Sequence, residues 1–264
     1  MSTQLQNPPL IEALLEIKWV LQKKGPDTFE DPGYKLASGR LFDRVKEKFG
    51  FVKNLPITFI PEELTAYAVR NQFRSEENGW PLVQIGPGVA TVNIAPPYSW
   101  SKFKSSVNFF IPRLYNSYIG VVPGEPDYKL QLNSAIIRYI NGIEYEWESG
   151  NTLEFLRDYL HTDIKLPSKL NAVSQETAPA NLSFQIGYPV SEPKGQIIIR
   201  FSTGTVGQVK GIVLELLFHS NGNDSPQINN VELFMNWLTE SHKIIEESFF
   251  SLIEGKLHSK FKGG

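Results

Sequence analysis

Two glutamates, Glu12 and Glu16, stand four apart in the run Ile11–Trp19, where apolar and polar residues alternate. A period of two is a strand signature. The two carboxylates therefore share a face, about 13 Å apart along it. Paired carboxylates that cleave a glycosidic bond sit closer, at about 5–9.5 Å, so these two read as a solvated or salt-bridged sheet face. Arg138 lies in a strongly apolar run, between Ile137 and Tyr139. A guanidinium on a covered face needs an acidic partner. Glu12 or Glu16 supplies it if the two runs are neighbouring strands. The expectation is a cross-strand pair that sets register between the two halves of the chain, with structural use favoured over ligand use. Asn141, in the same run, completes a candidate polar cluster of Glu12, Glu16, Arg138 and Asn141.

The other chemistry-bearing residues offer less. The four histidines, His161, His219, His242 and His258, have no metal-ligand spacing to one another. Glu215 and His219 point the same way along a strand but sit too far apart to share one metal. His242 and Glu246, four apart on a helix, read as a common surface pair. There is no Gly-x-Ser-x-Gly. The glycine-bearing stretches Gly86-Pro87-Gly88 and Gly204–Gly207 match neither a dinucleotide fingerprint nor a phosphate loop and read as hairpin turns. The chain has no cysteine, which removes thiolate catalysis, disulfides and cysteine metal sites. No catalytic residue, cofactor or metal is expected.

The elements that must position these residues follow from periodicity. After the Ile11–Trp19 strand, Lys23–Gly33 is rich in Gly, Pro, Asp and Lys and reads as a loop. Tyr34, Leu41, Phe42, Val45 and Phe49 are spaced for a helix closed by Gly50. Four extended runs follow, Pro56–Ile60, Thr65–Phe73, Trp80–Ile85 and Val89–Ile94, with turns at Glu76–Gly79 and Gly86–Gly88. A helix begins after Ser99, with Trp100, Phe103, Val107, Phe110, Ile111, Leu114 and Tyr118 on one face. Pro112 should kink it or end its regular part.

Beyond the Pro/Gly linker Val121–Asp127 the order starts again. Leu130–Tyr145 is extended, and Asn151 with Glu154 resembles a capping box. Pro167–Ala180 is irregular, with a weak strand near Ala172. Leu182–Tyr188, Gln196–Phe201 and Gly211–His219 are strands. A long helix runs from Val231 to Phe261, with Gly255 a weak point.

This order predicts an α+β fold with antiparallel sheet packed by long helices, as two tandem βαββββα halves, 1–122 and 123–264, or one continuous globular unit. It is the plan of TATA-binding-protein-like and helix-grip folds, in which a curved sheet wraps a long C-terminal helix. A helix of about 30 residues spans roughly 45 Å, enough to cross a wide sheet.

Five stretches, NPPLIEALLEIKW, GWPLVQIGPGVATVN, the tryptophan-led helix, IIRYINGIE and NWLTESHKIIEESFF, occur in this order along nearly the whole chain. Together they resemble the "sporadically distributed" family of uncharacterised bacterial proteins of about this length. The resemblance brings no catalytic residue with it. It implies horizontal transfer, and with it an accessory place in a defence or mobile-element system.

Composition bounds the rest. The 264 residues are 41% hydrophobic, 20% charged and 12% aromatic, with a formal charge of −2. That is a globular chain with a substantial core. It lacks the basic excess of a general nucleic-acid binder. No signal-peptide pattern opens it and no run is long enough to span a membrane, so a cytoplasmic protein is expected. Trp19, Trp80, Trp100, Trp147 and Trp237 sit in or beside apolar patterns and read mostly as core. The basic tail ending Gly263-Gly264 complements a helix C-terminus.

Three functions remain, in order of preference. The first is a non-enzymatic binding protein with a protein partner, encoded by a neighbouring gene or a second copy in a homodimer. The second is a helix-grip protein for a small apolar ligand, with cyclase-like catalysis open, which requires a cavity of about 300 Å³ or more between sheet and helix. The third is nucleic-acid binding on a saddle-shaped sheet, which needs a basic concave face.

Overall fold

The computed structural model describes residues 5–122, 124–144, 151–167, 169 and 181–263. Trp147, the weak strand near Ala172 and Gly264 lie outside the described residues. The fold is α+β, built on one nine-stranded antiparallel sheet.

Strand β1 (Leu10–Trp19) follows its alternation: Ala13, Leu15, Ile17 and Trp19 are buried, while Glu12, Leu14, Glu16 and Lys18 face the other way. Helix α1 (Tyr34–Val45) buries Tyr34, Ala37, Leu41 and Val45. The segment expected to be a loop between them carries a small ribbon, β2 (Gln22–Lys23) with β3 (Phe29–Glu30).

The next region departs from expectation. Pro56–Ile60 is not a strand, because Pro56–Phe59 forms a 3₁₀ turn with proline in its first position, where the missing N–H costs nothing. A second such turn covers Glu62–Leu64. The sheet's edge is instead β4 (Phe51–Asn54), exposed throughout and without alternation. The run expected over Thr65–Phe73 contracts to β5 (Asn71–Arg74). The Pro87-Gly88 turn joins β6 (Leu82–Gly86) to β7 (Val89–Ile94) as expected, with Gly88 at φ +76°, the place where a type II turn requires glycine.

Helix α2 (Trp100–Tyr118) starts at Ser99, whose hydroxyl accepts from the Lys102 N–H. It runs through Pro112 and does not end there. The carbonyl that Pro112 leaves unbonded is that of Asn108, four residues back on an exposed position, where water can meet it. Phe103, Val107, Phe110, Ile111 and Leu114 are fully buried, each worth about 1.5–3 kcal/mol relative to exposure.

The second half contributes β8 (Leu132–Glu144), α3 (Thr152–Leu160), β9 (Ser183–Val190), β10 (Gly195–Val206), β11 (Val209–Asn221), α4 (Val231–Leu252) and α5 (Lys256–Lys262). Asn151 caps α3 through the Leu153 N–H. The expected single C-terminal helix is split at Gly255, whose φ of +85° is open to glycine at little cost.

The strand order is β4-β5-β6-β7-β1-β8-β11-β10-β9. The sheet is therefore continuous across residue 122, with β1 paired to β8. Helices α1, α2 and α4 pack on one face, α4 across β11 and β8 and α2 across β7. The other face is open, flanked near β7 by the 55–69 segment. No helix among the described residues is long and apolar enough to cross a membrane.

Candidate functional site

Register sorts the sequence-predicted cluster onto both faces. Leu14 stands opposite Arg138, and Glu12 and Glu16 lie opposite Ile140 and Ile136. Glu12, Glu16 and Arg138 thus share the open face, on neighbouring strands as expected. The expected pair does not form. The glutamates have other partners: Asn93 Nδ2 donates to Glu12 at 2.6 Å, and Glu16 pairs with Lys18 at 2.7 Å. Arg138 instead meets Glu215 of β11 at 3.9 Å, and Glu215 also meets Arg200 of β10 at 3.6 Å. The reason is diagonal geometry. Arg138 can lean to either side of its strand, and toward β11 it reaches a carboxylate that it shares with Arg200, while Glu12 and Glu16 are held by Asn93 and Lys18.

Arg74, Gln72, Gln84, Asn93 and Glu12 form a one-way chain across β5, β6, β7 and β1. Each side-chain N–H donates to the oxygen of the next, from guanidinium to carboxylate. This face carries acids and bases in pairs, with an open recess of about 560 Å³ beside Leu55, Tyr67 and Val69.

Asn141 lies on the opposite face. It is buried, its amide donates to the Leu214 carbonyl at 3.2 Å, and it lines a cavity of about 380 Å³ between the sheet and α4. Tyr139, Asn141 and Leu216 form its floor, and α4 supplies His242, Ile245, Glu246, Phe249 and Phe250. Tyr98 and Trp100 enter from the start of α2. The segment Leu5–Leu10 closes another side, tied down by the Asn7 N–H to the Phe261 carbonyl at 2.9 Å and by the Gly142 N–H to the Pro9 carbonyl at 2.8 Å.

Three polar groups run along this cavity as a chain. Tyr98 Oη lies 2.9 Å from Tyr139 Oη, which lies 2.9 Å from His242 Nδ1. The imidazole stacks on Trp100. Burial, with Lys104 nearby, lowers the His242 pKa from 6.5 to about 4. Burial, with Tyr98 and Glu246 nearby, raises Tyr139 well above the usual phenol range, and Tyr98 is raised by its own burial. At neutral pH the chain thus holds three hydrogens, two hydroxyl and one imidazole. Its two internal bonds use two of them. Whichever way the bonds run, one donor is left over, on His242 Nε2, on the Tyr98 hydroxyl or on the Tyr139 hydroxyl.

The sequence reading passed over this site because His242 and Glu246 read as a surface pair. The structure corrects this: His242 is 9% exposed and Glu246 faces the cavity. The available signal was helical phase. His242 stands four after Leu238 and three before Ile245, both on the apolar face of α4.

The remaining histidines are spread apart. His161 Nε2 contacts the Glu254 carbonyl at 2.8 Å, and His219 Nε2 lies 3.0 Å from the Ser134 hydroxyl. Among the described residues no group of three His, Asp or Glu could hold a metal. Compared with family models and with curated proteins, the chain has no match.

Proposed function

We propose that this chain is a binding protein for a small, largely apolar organic molecule taken up between the sheet and α4. The observation that carries the reading is the 380 Å³ cavity at that place, above the roughly 300 Å³ at which drug-sized ligand pockets begin. Its walls are aromatic and aliphatic, with a few converging polar groups on one side. The spare donor of the Tyr98–Tyr139–His242 chain suits one acceptor on the ligand, such as a carbonyl or ether oxygen.

The test is titration of the full chain with an uncharged environment-sensitive apolar dye, N-phenyl-1-naphthylamine. Saturable one-to-one binding is expected, and Leu10→Trp, which fills the cavity from its half-buried mouth, should abolish it while leaving the melting temperature unchanged. Equal binding by that variant overturns the reading.

A helix-grip reading of the fold, taken as part of this proposal, points to the same place. The strand order places the last strand of each half beside its first, β7 on β1 and β11 on β8. We read this as two βαββββα-like halves, with one strand fewer in the second. The resemblance to the "sporadically distributed" family adds a bacterial accessory role to this proposal. A protein partner on the open sheet face is the second reading, favoured by the half-buried polar chain from Arg74 to Glu12. Nucleic-acid binding there is less favoured, because Lys18, Arg138 and Arg200 each already face a glutamate.

A further inference from the structure

Glu246 sets the chemistry of the cavity. It lies one helical turn after His242, lines the same cavity and is only partly exposed. Among the described residues it forms no hydrogen bond and no ion pair, whereas the other acids of α4 include Glu240, which pairs with Lys243. A partly desolvated carboxylate without a cation is costly, and its field already reaches Tyr98 and Tyr139. Lys104 of α2 stands beside this wall, its ammonium 6.0 Å from the centre of the Trp100 ring, and acts on His242, but it forms no ion pair with Glu246.

The rest of the wall suits a cation as well. Tyr98, Trp100, Phe249 and Phe250 surround the cavity. Aromatic rings carry negative faces and attract ammonium groups within about 6 Å. A carboxylate among aromatic rings is the chemistry that recognises an organic ammonium, which is more weakly hydrated than an inorganic cation.

We infer that the ligand of this cavity is an organic ammonium, an amine or quaternary ammonium carried on an apolar frame, with Glu246 as its counter-ion. The inference rests on the binding reading above and names the ligand class for that site. The apolar frame occupies the floor over Leu216 and Tyr139. An acceptor on the frame meets the leftover donor of the Tyr98–Tyr139–His242 chain.

The experiment compares benzyltrimethylammonium with neopentylbenzene, its neutral carbon isostere, on the full chain. Binding is read by tryptophan fluorescence and by NMR shifts of the tryptophan indole signals. The wild-type protein should bind the cation at least tenfold more tightly. Glu246→Gln should remove that preference, leave neopentylbenzene binding unchanged and hold or raise the melting temperature. Equal affinity for the two probes in the wild-type protein overturns the cation inference and leaves the cavity reading standing. Binding of neither probe, with no dye binding, overturns both. A cation preference that survives in Glu246→Gln while the protein stays folded also overturns it, because the counter-ion then lies elsewhere.

Discussion

The imidazole of His242 lies nearly flat on the indole of Trp100, with ring centroids 3.8 Å apart and planes 17° from parallel. One ring comes from the middle of α4 and the other from the first residue of α2, so the stack joins the two helices at the mouth of the cavity. It also holds the imidazole where Tyr139 can reach its Nδ1.

That placement makes stability depend on pH in a defined direction. The folded-state pKa of His242 is about 4, against 6.5 for the free side chain. Between those values the unfolded chain takes up a proton that the folded chain refuses. Stability from this group is therefore full above pH 6.5 and falls as pH drops toward 4. The shift corresponds to about 3 kcal/mol, before screening through the cavity mouth reduces it. Burial is the main cause of that shift, and Lys104 of α2 disfavours the imidazolium further. In urea unfolding, the difference between wild type and His242→Gln should be largest near pH 7.5 and shrink steadily by pH 4.5. A difference that is flat with pH would show that the ring titrates normally.

A second buried group is predicted to be costlier to alter. Asp31 is 5% exposed and accepts four hydrogen bonds. Its Oδ2 takes Trp19 Nε1 at 2.9 Å, Tyr118 Oη at 2.9 Å and the Gly88 N–H at 3.1 Å, and its Oδ1 takes the Gly33 N–H at 3.2 Å. Burial raises this carboxyl, and the four donors act against that. It ties the end of β1, the end of α2 and the β6–β7 turn to one point. Asp31→Asn sets an amide N–H against at least one of these donors. The expected loss is about 2–4 kcal/mol in urea unfolding, with Trp19→Phe costing less because one bond goes and no donor is opposed.

The architecture was legible where one periodicity ruled a long segment. Ile11–Trp19, Val89–Ile94 and Trp100–Tyr118 came out within a residue because apolar and polar positions keep one period in each, although in Val89–Ile94 the polar face is buried too. Phe51–Asn54 was not legible, since an exposed edge strand buries neither face and leaves no alternation. Pro56–Ile60 misled because its apolar residues are mostly exposed turn residues, Phe59 nearly fully so, and not core. Among site residues, Asn141 was found for the wrong face. In a strand, an odd separation from Arg138 places it across the sheet, and that parity was readable. Asp31 was hidden in a polar loop, because its partners stand 2, 12, 57 and 87 residues away.

The open face yields a smaller effect. Glu215 lies between Arg138 and Arg200 at distances beyond a good hydrogen bond, and the groups are about a quarter to two-fifths exposed. Exposed pairs of this kind are worth about 0–1 kcal/mol. Arg138→Met should therefore change stability by less than about 1 kcal/mol. Glu215→Gln should cost more, because it leaves two neighbouring guanidiniums facing each other. The gap between the variants should narrow in high salt. A loss of several kcal/mol for Arg138→Met would mean that it carries structure the observed contacts do not account for.

Gly86 supplies the strictest local test. A Cβ built there runs into the carbonyl of Ala68, a backbone atom that cannot rotate aside. The close approach exists because the 65–70 segment pairs back onto β6, with the Arg70 N–H donating to the Ile85 carbonyl at 2.9 Å. Buried Arg70 then holds the preceding turns through the Thr58 and Ile60 carbonyls, at 3.0 and 2.9 Å. Gly86→Ala should push this segment off β6. The expected cost is about 2–3 kcal/mol, with rising hydrogen exchange at the amides of Tyr67 and Arg70. The sheet–α4 cavity lies on the opposite face of the sheet, so dye binding there should persist in the folded fraction. If Gly86→Ala instead abolishes dye binding at full folding, the two faces are coupled through the sheet, and the separation of the cavity from the open face is wrong.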